Sequence, residues 1–273
     1  METPFFEIFS YDFMLRGLVV GTLVALCGAL LGVNLVLKRY SMIGDGLSHV
    51  GFGALAIAFS LNLAPLAVAV PVMIIAAFLL MRINNTSSIK GDALIAIIST
   101  GALAFGIIAV SLTTGITTDV YSYMFGSILA LSSSDVAASV IIAAVVLIVY
   151  FVFYQRIFAV TFDEDFARAT GQKVSFYNML LAVLTAITIV IGMKIMGALL
   201  FSALIIFPAL TSMRVFKTYK AVIISSVILS VLCFFAGMVI SFYLSLPTGA
   251  SVVVVNICAF AIFSVIRFIK SKK

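Results

Sequence analysis

The stretch FMLRGLVVGTLVALCGALLGVNLVL occupies residues 13–37 and contains a single charged residue. About 20 apolar residues in helical conformation are enough to cross the hydrocarbon core of a bilayer. Four glycines at helical spacing form two G-x-x-x-G pairs, which let helices approach closely in a membrane; they are Gly17, Gly21, Gly28 and Gly32. We therefore expect a membrane-spanning helix that packs tightly against its neighbours.

The rest of the chain has the same character. It contains 273 residues, of which 64% are hydrophobic and 10% are charged, and its mean hydropathy is +1.32. Soluble domains carry about 25% charged residues, and disordered chains are poor in aromatic and branched apolar residues, so both classes are excluded. Eight further apolar stretches lie at 41–60, 64–81, 92–113, 134–155, 176–193, 195–213, 221–244 and 249–268.

These stretches predict an all-α polytopic membrane protein with about eight or nine transmembrane helices. We expect residues 1–273 to form a single transmembrane domain. The segment 117–131 is too short and too polar at its start to span, which indicates a re-entrant or interfacial helix. The N-terminus is acidic and lacks a basic region and a small-residue cleavage site, so no cleavable signal peptide is expected.

The basic residues predict the orientation. With nine spans and an external N-terminus, all of them except Arg16 and Lys194 fall in inner loops or at the C-terminus. An excess of Lys and Arg in short loops marks the cytoplasmic side. We therefore expect an external N-terminus and a cytoplasmic C-terminus. The net charge of +6 is a topology signal, and no nucleic-acid partner is expected.

One acidic residue lies inside a predicted span. Asp45 is followed four residues later by His49, which is the single histidine of the chain. Residues at i and i+4 share a helix face, and ionisable groups within a membrane are costly enough to suggest function. A carboxylate and a neutral imidazole suit a divalent transition metal. Two ligands are too few for a tetrahedral site, but a twofold homodimer would supply two Asp and two His.

Other interpretations of this pair remain open. Asp45 and His49 could satisfy each other or cap neighbouring helices, without any metal. They could act as a proton relay in a secondary transporter. An intramembrane hydrolase with Ser48 or Ser41 as nucleophile is a weaker alternative, because adjacent residues such as Ser48 and His49 point in different directions on a helix.

Glycine is frequent around the pair. Four glycines in the ten residues 44–53 weaken a helix by about 1 kcal/mol each relative to alanine. This density suggests that the segment bends or exposes carbonyl groups to a cavity.

Three motifs in order along the chain resemble one family. GDGLSHVGFGALA at 44–56 is similar to a GD-x-x-SH-x-x-x-x-G-x-A signature, although Gly46 stands where a residue such as alanine is expected. Residues 163–171 resemble a D-x-x-x-A-x-x-x-G loop, and GALLFSALIIFPA at 197–209 is similar to a G-x-L-L-x-x-A-L-L-x-x-P-A run. Together they resemble the ABC-3 family, the permeases of bacterial zinc and manganese ATP-binding-cassette importers.

The resemblance implies a type II-like importer permease in a bacterial plasma membrane. Asp45 and His49 would handle transported Zn²⁺ or Mn²⁺, with no permanently bound cofactor. The implied partners are a second permease copy, a cytoplasmic ATPase and an extracytoplasmic metal-binding protein. The chain has no G-x-x-x-x-G-K-[ST] loop, so ATP hydrolysis would belong to the separate ATPase.

A cytoplasmic segment at about 160–173 would couple to that ATPase, through Asp163, Glu164, Asp165, Ala167 and Gly171. The acidic trio is placed to begin a short helix, where the helix dipole favours negative charge. Ala167 and Gly171, at i and i+4, would give a smooth face for another protein. Without the resemblance, an ordinary solvated loop would be the simpler interpretation.

Overall fold

A computed structural model describes residues 10–86, 91–113, 126 and 131–271. This part of the chain contains helices and no strand. In chain order the helices are α1 Asp12–Leu37, α2 Ser41–Ser60, α3 Pro65–Thr86, α4 Gly91–Ser111, α5 Ser133–Val152, α6 Tyr154–Phe162, α7 Glu164–Ala169, α8 Val174–Met196, α9 Ala198–Val215, α10 Tyr219–Leu244 and α11 Thr248–Ser271.

The predicted all-α membrane architecture is confirmed. Seven helices within the described residues are long and apolar enough to cross a membrane: α1, α2, α4, α5, α8, α10 and α11. Two shorter apolar helical segments, Pro65–Leu80 in α3 and Phe201–Val215 in α9, account for the remaining predicted stretches. The predicted re-entrant segment 117–131 falls almost entirely outside the described residues.

Helix α1 lies in the middle of the bundle and packs against α5, α8, α9 and α10. Its glycines permit these contacts. A Cβ atom added at Gly21 would lie 1.9 Å from Cζ of Phe234, and one added at Gly32 would lie 2.1 Å from the carbonyl oxygen of Ile205. The close helix approach predicted from the G-x-x-x-G pairs is therefore confirmed at these two positions.

Two helix boundaries differ from the apolar stretches. The stretch 134–155 is divided, because α5 ends at Val152 and α6 begins after Phe153. The break predicted near Lys194 lies instead at Gly197, whose φ of +82° separates α8 from α9. Glycine adopts such a φ without steric cost, whereas the apolar residues around it favour a continuing helix.

Several connections meet at one end of the bundle. The end of α1, the segment α6–α7 and the start of α10 are in contact there: Lys38 Nζ donates to the carbonyl of Val160 at 2.9 Å, and Tyr219 Oη donates to Asn34 Oδ1 at 2.7 Å. We call this the basic end, because it also carries Arg39, Arg156, Arg168, Lys173, Lys217 and Lys220.

Candidate metal site and coupling segment

Helix α2 presents Asp45 and His49 on one face. His49 Nε2 lies 3.8 Å from Asp45 Oδ2, and the two side chains are 19% and 37% exposed, respectively. This separation exceeds a hydrogen bond. The other ring nitrogen, Nδ1 of His49, is buried and has no hydrogen-bond partner within the described part of the chain. The two side chains are thus brought together at a distance longer than a hydrogen bond, and one nitrogen of the imidazole, Nδ1, is unpartnered among the described residues.

The pair lies close to one end of α2. With a rise of 1.5 Å per residue, Asp45 and His49 lie about 6 and 12 Å along the axis from Ser41. Three residues connect the end of α1 at Leu37 to Ser41, and the first of them, Lys38, belongs to the basic end. The pair therefore lies in the half of α2 that is nearer the basic end.

One chain offers few ligands at this position. Among the described residues, no group of three or more His, Cys, Asp and Glu side chains is close enough to hold a metal ion. A closed tetrahedral zinc site takes four ligands. The Asp45–His49 pair therefore provides half of such a set.

The glycines around the pair do not interrupt α2. The helix is continuous from Ser41 to Ser60. A Cβ atom at Gly46 would lie 2.5 Å from Cγ2 of Ile95, and one at Gly53 would lie 2.4 Å from the carbonyl oxygen of Ala102. These equal steps along α2 and α4 mean that the two helices run parallel in close contact. The absence of a side chain at Gly46 and Gly53 permits this close packing.

Ser48 does not form a catalytic pair with His49. Its side chain is completely buried, and its hydroxyl donates to the carbonyl of Gly44 at 2.9 Å. This bond to the preceding turn is typical of serine within a helix. The geometry gives no support to a hydrolase that uses Ser48.

The acidic trio begins a helix as expected. The carboxylate of Asp163 accepts from the backbone N–H of Phe166 at 2.9 Å and caps α7. Glu164 and Asp165 occupy the first turn, and Arg168 lies in the last turn. Both placements complement the helix dipole.

Glu164 is held by its own chain. Its Oε1 accepts from Lys38 Nζ at 2.5 Å and from Asn178 Nδ2 at 3.1 Å. Burial lowers the pKa of Lys38, although the hydrogen bond to Glu164 and the negative charge of Glu164 act in the opposite direction. Although desolvation by itself raises the pKa of Glu164, the hydrogen bonds from Lys38 and Asn178 together with nearby positive charge bring it below its usual value. The ion pair between Lys38 and Glu164 holds the start of α7 against the end of α1.

Ala167 and Gly171 do not form the predicted smooth face. Ala167 is completely buried among Val160, Val174 and Tyr177. Gly171 lies beyond the end of α7, with a φ of +81° and open space around the position of a Cβ atom. The two residues are therefore separated because α7 ends at Ala169, before a second turn could align them.

A family model described as the ABC 3 transport family matches residues 10–267. The chain belongs to the ABC 3 transport family. It is a membrane component of an ABC transporter, which excludes the interpretation of Asp45 and His49 as the relay of a proton-driven secondary transporter.

Relatives in the ABC 3 family match over most of their length. The high-affinity zinc uptake system membrane protein ZnuB of Haemophilus influenzae is 28% identical, over 92% of this chain and 97% of its own. The manganese import system permease protein ScaB of Streptococcus gordonii is also 28% identical, over 96% of both chains. A solved structure, PsaBC from Streptococcus pneumoniae in complex with Fab, shares 28% identity and a TM-score of 0.85 over 94% of both chains.

The third ABC-3 motif, residues 197–209, has a packing role within the described residues. Phe201 is completely buried, and a Cβ atom at Gly192 would lie 2.0 Å from its ring. Ala209 is also completely buried, in the cluster that includes Tyr150 and Tyr219. Together with Gly197 at the helix break, these residues hold α9 against α8 and the rest of the core.

Sequence reasoning missed a buried polar cluster at the basic end. Asn34 Nδ2 donates to the carbonyl of Leu30 at 2.8 Å and to Tyr150 Oη at 2.9 Å. Its Oδ1 accepts from Thr161 Oγ1 at 3.1 Å and from Tyr219 Oη at 2.7 Å. The hydrogen-bonding capacity of the Asn34 amide is thus filled. The signal was available in the sequence, because Asn34 is a polar residue within a long apolar stretch.

Two aromatic residues of the predicted coupling segment were also missed. Phe162 and Phe166 are 58% and 63% exposed, on a segment whose Ala167 faces inward. The outward face of α7 therefore combines an exposed ring with the carboxylate of Asp165, which is exposed as well.

Proposed function

We propose that this chain is the permease subunit of an ATP-driven importer of a divalent transition metal, zinc or manganese. The observation that carries the proposal is the Asp45–His49 pair: the single histidine lies 3.8 Å from a carboxylate within a membrane helix, with its Nδ1 buried and unpartnered. Relatives over nearly the whole chain are named for zinc and for manganese. The transported ion is the substrate, and the function needs no permanently bound cofactor.

The proposed site is shared between two copies of the chain. Two twofold-related α2 helices would contribute two carboxylates and two imidazoles, the number of ligands that a tetrahedral ion takes. Oxygen ligands suit manganese and imidazole suits zinc, so this donor set accepts either ion. A site that forms only between subunits can also be opened by moving them, which is what release of a transported ion requires.

Energy would come from a separate ATPase subunit at the basic end. In this proposal the segment 160–173 docks on the ATPase, with Phe166 and Asp165 in contact with the partner. Asp163, Glu164 and Ala167 act from within the chain, because they cap α7, fasten it to α1 and pack beneath it, respectively. Gly171 supplies the positive φ that turns the chain from α7 towards α8.

We further propose that residues 1–273 form one transmembrane permease domain in a bacterial plasma membrane. The basic end would face the cytoplasm, with the N-terminus outside, following the excess of Lys and Arg in inner loops. An extracytoplasmic metal-binding protein would deliver the ion to the opposite end. ATP-driven closure of the ATPase subunits would move the coupling segments and change access to the Asp45–His49 site from one side to the other.

The test is metal uptake into proteoliposomes that contain the permease, its ATPase and the metal-binding protein. ATP-dependent uptake of zinc or manganese is expected, and Asp45→Ala or His49→Ala should reduce the initial rate at least about 100-fold, as expected for loss of a metal ligand or its orientation. Asp12→Ala is the matched control, since Asp12 is an exposed carboxylate at the start of α1. Uptake by both site variants at the rate of the control would overturn the assignment.

A further inference from the structure

The corner between α1 and α2, residues 34–41, connects the coupling segment to the candidate metal pair. We infer that this corner transmits the displacement of α7 to Asp45 and His49, with Lys38 as the positioning residue. The inference rests on the proposed function. It adds a specific route, formed by residues that lie outside the metal site and outside the proposed ATPase contact.

The first step of the route is the contact between α7 and α1. Lys38 Nζ bonds both Glu164 at the start of α7 and the carbonyl of Val160 in α6. The Lys38 side chain is only 4% exposed, so its ammonium depends on these partners in place of water. Separating Glu164 from Lys38 would leave the buried ammonium without its charged partner, which is unfavourable. A displacement of α7 would therefore draw the end of α1 with it.

The second step is the connection from α1 to α2. Tyr40 N–H donates to the carbonyl of Leu35 at 2.7 Å, and Arg39 N–H donates to that of Val36 at 3.1 Å. This pattern is a Schellman motif. Arg39 has a φ of 61°, a left-handed conformation that is strained for a residue with a Cβ atom. The corner is thus a fixed turn, and α2 starts immediately after it.

The third step is short. Asp45 lies seven residues after Lys38 in the sequence, on the second turn of α2. Because α2 is a continuous helix, a shift at Ser41 is passed along its axis to Asp45 and His49. The path from Glu164 to the pair therefore contains one ion pair between the partly exposed Glu164 and the buried Lys38, one fixed turn and the first turns of α2.

The Asn34 cluster joins the start of the corner to three other helices. Asn34 lies one turn before Lys38 and joins α1 to Tyr150 of α5, Thr161 of α6 and Tyr219 of α10. Hydrogen bonds fix the relative positions of helices more specifically than apolar packing, which tolerates sliding. Through this cluster, α6 is hydrogen-bonded to the end of α1 at the basic end. A displacement of the coupling segment would therefore also displace the corner.

The test measures whether nucleotide on the ATPase changes metal binding at the pair. Zinc binding to the purified permease–ATPase complex is measured with and without a non-hydrolysable ATP analogue. We expect the analogue to change the zinc dissociation constant about tenfold in the wild type, within the usual range of coupling between sites. In Lys38→Met the change should fall below about twofold, whereas the dissociation constant without nucleotide should stay within about twofold of the wild type.

Two variants complete the test. Lys217→Met is the matched control, because Lys217 is an exposed lysine at the same end of the bundle, and it should retain the tenfold change. Glu164→Gln keeps an oxygen that can accept from Lys38 and Asn178, so it preserves the fold if Lys38→Met does not assemble. It should reduce the nucleotide effect at least about threefold, because the charge-assisted bond is roughly twice as strong as its neutral counterpart.

The outcomes separate this inference from the proposed function. If the analogue still changes the zinc dissociation constant tenfold in Glu164→Gln, and in Lys38→Met where that variant assembles, the route through the corner is overturned. The proposed function as a metal importer would be unaffected by that result. Wild-type zinc binding in a complex that carries Asp45→Ala and His49→Ala would contradict the metal site itself. Equal loss of zinc binding with and without nucleotide in a stably assembled Lys38→Met would also overturn the inference, since it indicates a purely structural role.

Discussion

Helices α1 and α2 are joined by three residues, and both carry polar side chains in apolar surroundings. The two sets of polar side chains differ in how far their hydrogen bonds are satisfied. In α1, Asn34 is completely buried and all four of its amide hydrogen-bonding positions are used. In α2, the Asp45–His49 pair is partly exposed, its members are 3.8 Å apart and one imidazole nitrogen is unpartnered. A satisfied polar group stabilises the bundle, whereas an unsatisfied one remains available for a ligand.

The largest stability difference is expected between the two polar positions themselves. Asn34→Ala should destabilise the protein by about 4 kcal/mol, because it leaves the hydroxyls of Tyr150, Thr161 and Tyr219 without their shared partner. His49→Ala should change stability by less than about 1 kcal/mol, since Nδ1 of His49 is unpartnered among the described residues and Nε2 lies 3.8 Å from Asp45. Thermal unfolding of the detergent-solubilised protein measures both. Equal destabilisation by the two variants would remove the distinction between α1 and α2.

Glycines in α1 offer a second comparison. A Cβ atom at Gly32 would lie 2.1 Å from a backbone oxygen, whereas one at Gly28 would have its nearest neighbour at 3.7 Å. Gly32→Ala should therefore cost about 3 kcal/mol through overpacking. Gly28→Ala, the matched control in the same helix, should be neutral or slightly stabilising because alanine favours helix. The unfolding temperatures of the two variants check the prediction, and similar values would contradict the close contact of α1 with α9.

The ion pair at the corner should respond to acid. The lowered pKa of Glu164 means that its contribution to stability is complete above the ordinary glutamate pKa of about 4.3. It is lost as the pH falls through the lower pKa of the folded protein. Wild type should therefore unfold at a higher temperature than Glu164→Gln at pH 7, and this difference should shrink below about pH 4. A difference that is constant over this range would show that the charge of Glu164 contributes nothing.

The smallest effect is expected at the turn itself. Arg39→Gly should stabilise the protein by about 1 kcal/mol, because glycine adopts a φ of 61° without the strain of a Cβ atom. Arg39→Ala keeps that strain and is the control for loss of the side chain. Unfolding temperatures that rank alanine above glycine would contradict the left-handed turn between α1 and α2.

Much of this architecture could be predicted from the sequence, because the hydrocarbon core of a membrane imposes a length and a composition on each span. The apolar stretches predicted the helices, and the expected close packing of α1 is confirmed at Gly21 and Gly32. Boundaries were less predictable: the break at Gly197 depends on a backbone conformation that no apolar pattern reveals.

The candidate site was predicted in part. The spacing of Asp45 and His49 placed them on one face of α2, and Asp163 begins α7 as expected. The packing role of the glycines around the pair was not predicted, because it depends on contacts with Ile95 and Ala102 in another helix. Roles that depend on distant partners are not encoded in local periodicity.

The sequence by itself determined the helical membrane fold and the pair of ionisable residues in α2, since hydropathy, helix length and i, i+4 spacing are local properties. Only the tertiary structure decided that Ala167 faces inward, that Glu164 is bound by Lys38, and that Asn34 joins helices far apart in sequence. The physical reason is that burial and hydrogen bonding of a side chain are set by its neighbours in space. For Lys38 with Glu164 and for Asn34 with Thr161, those neighbours lie more than 100 residues away in sequence.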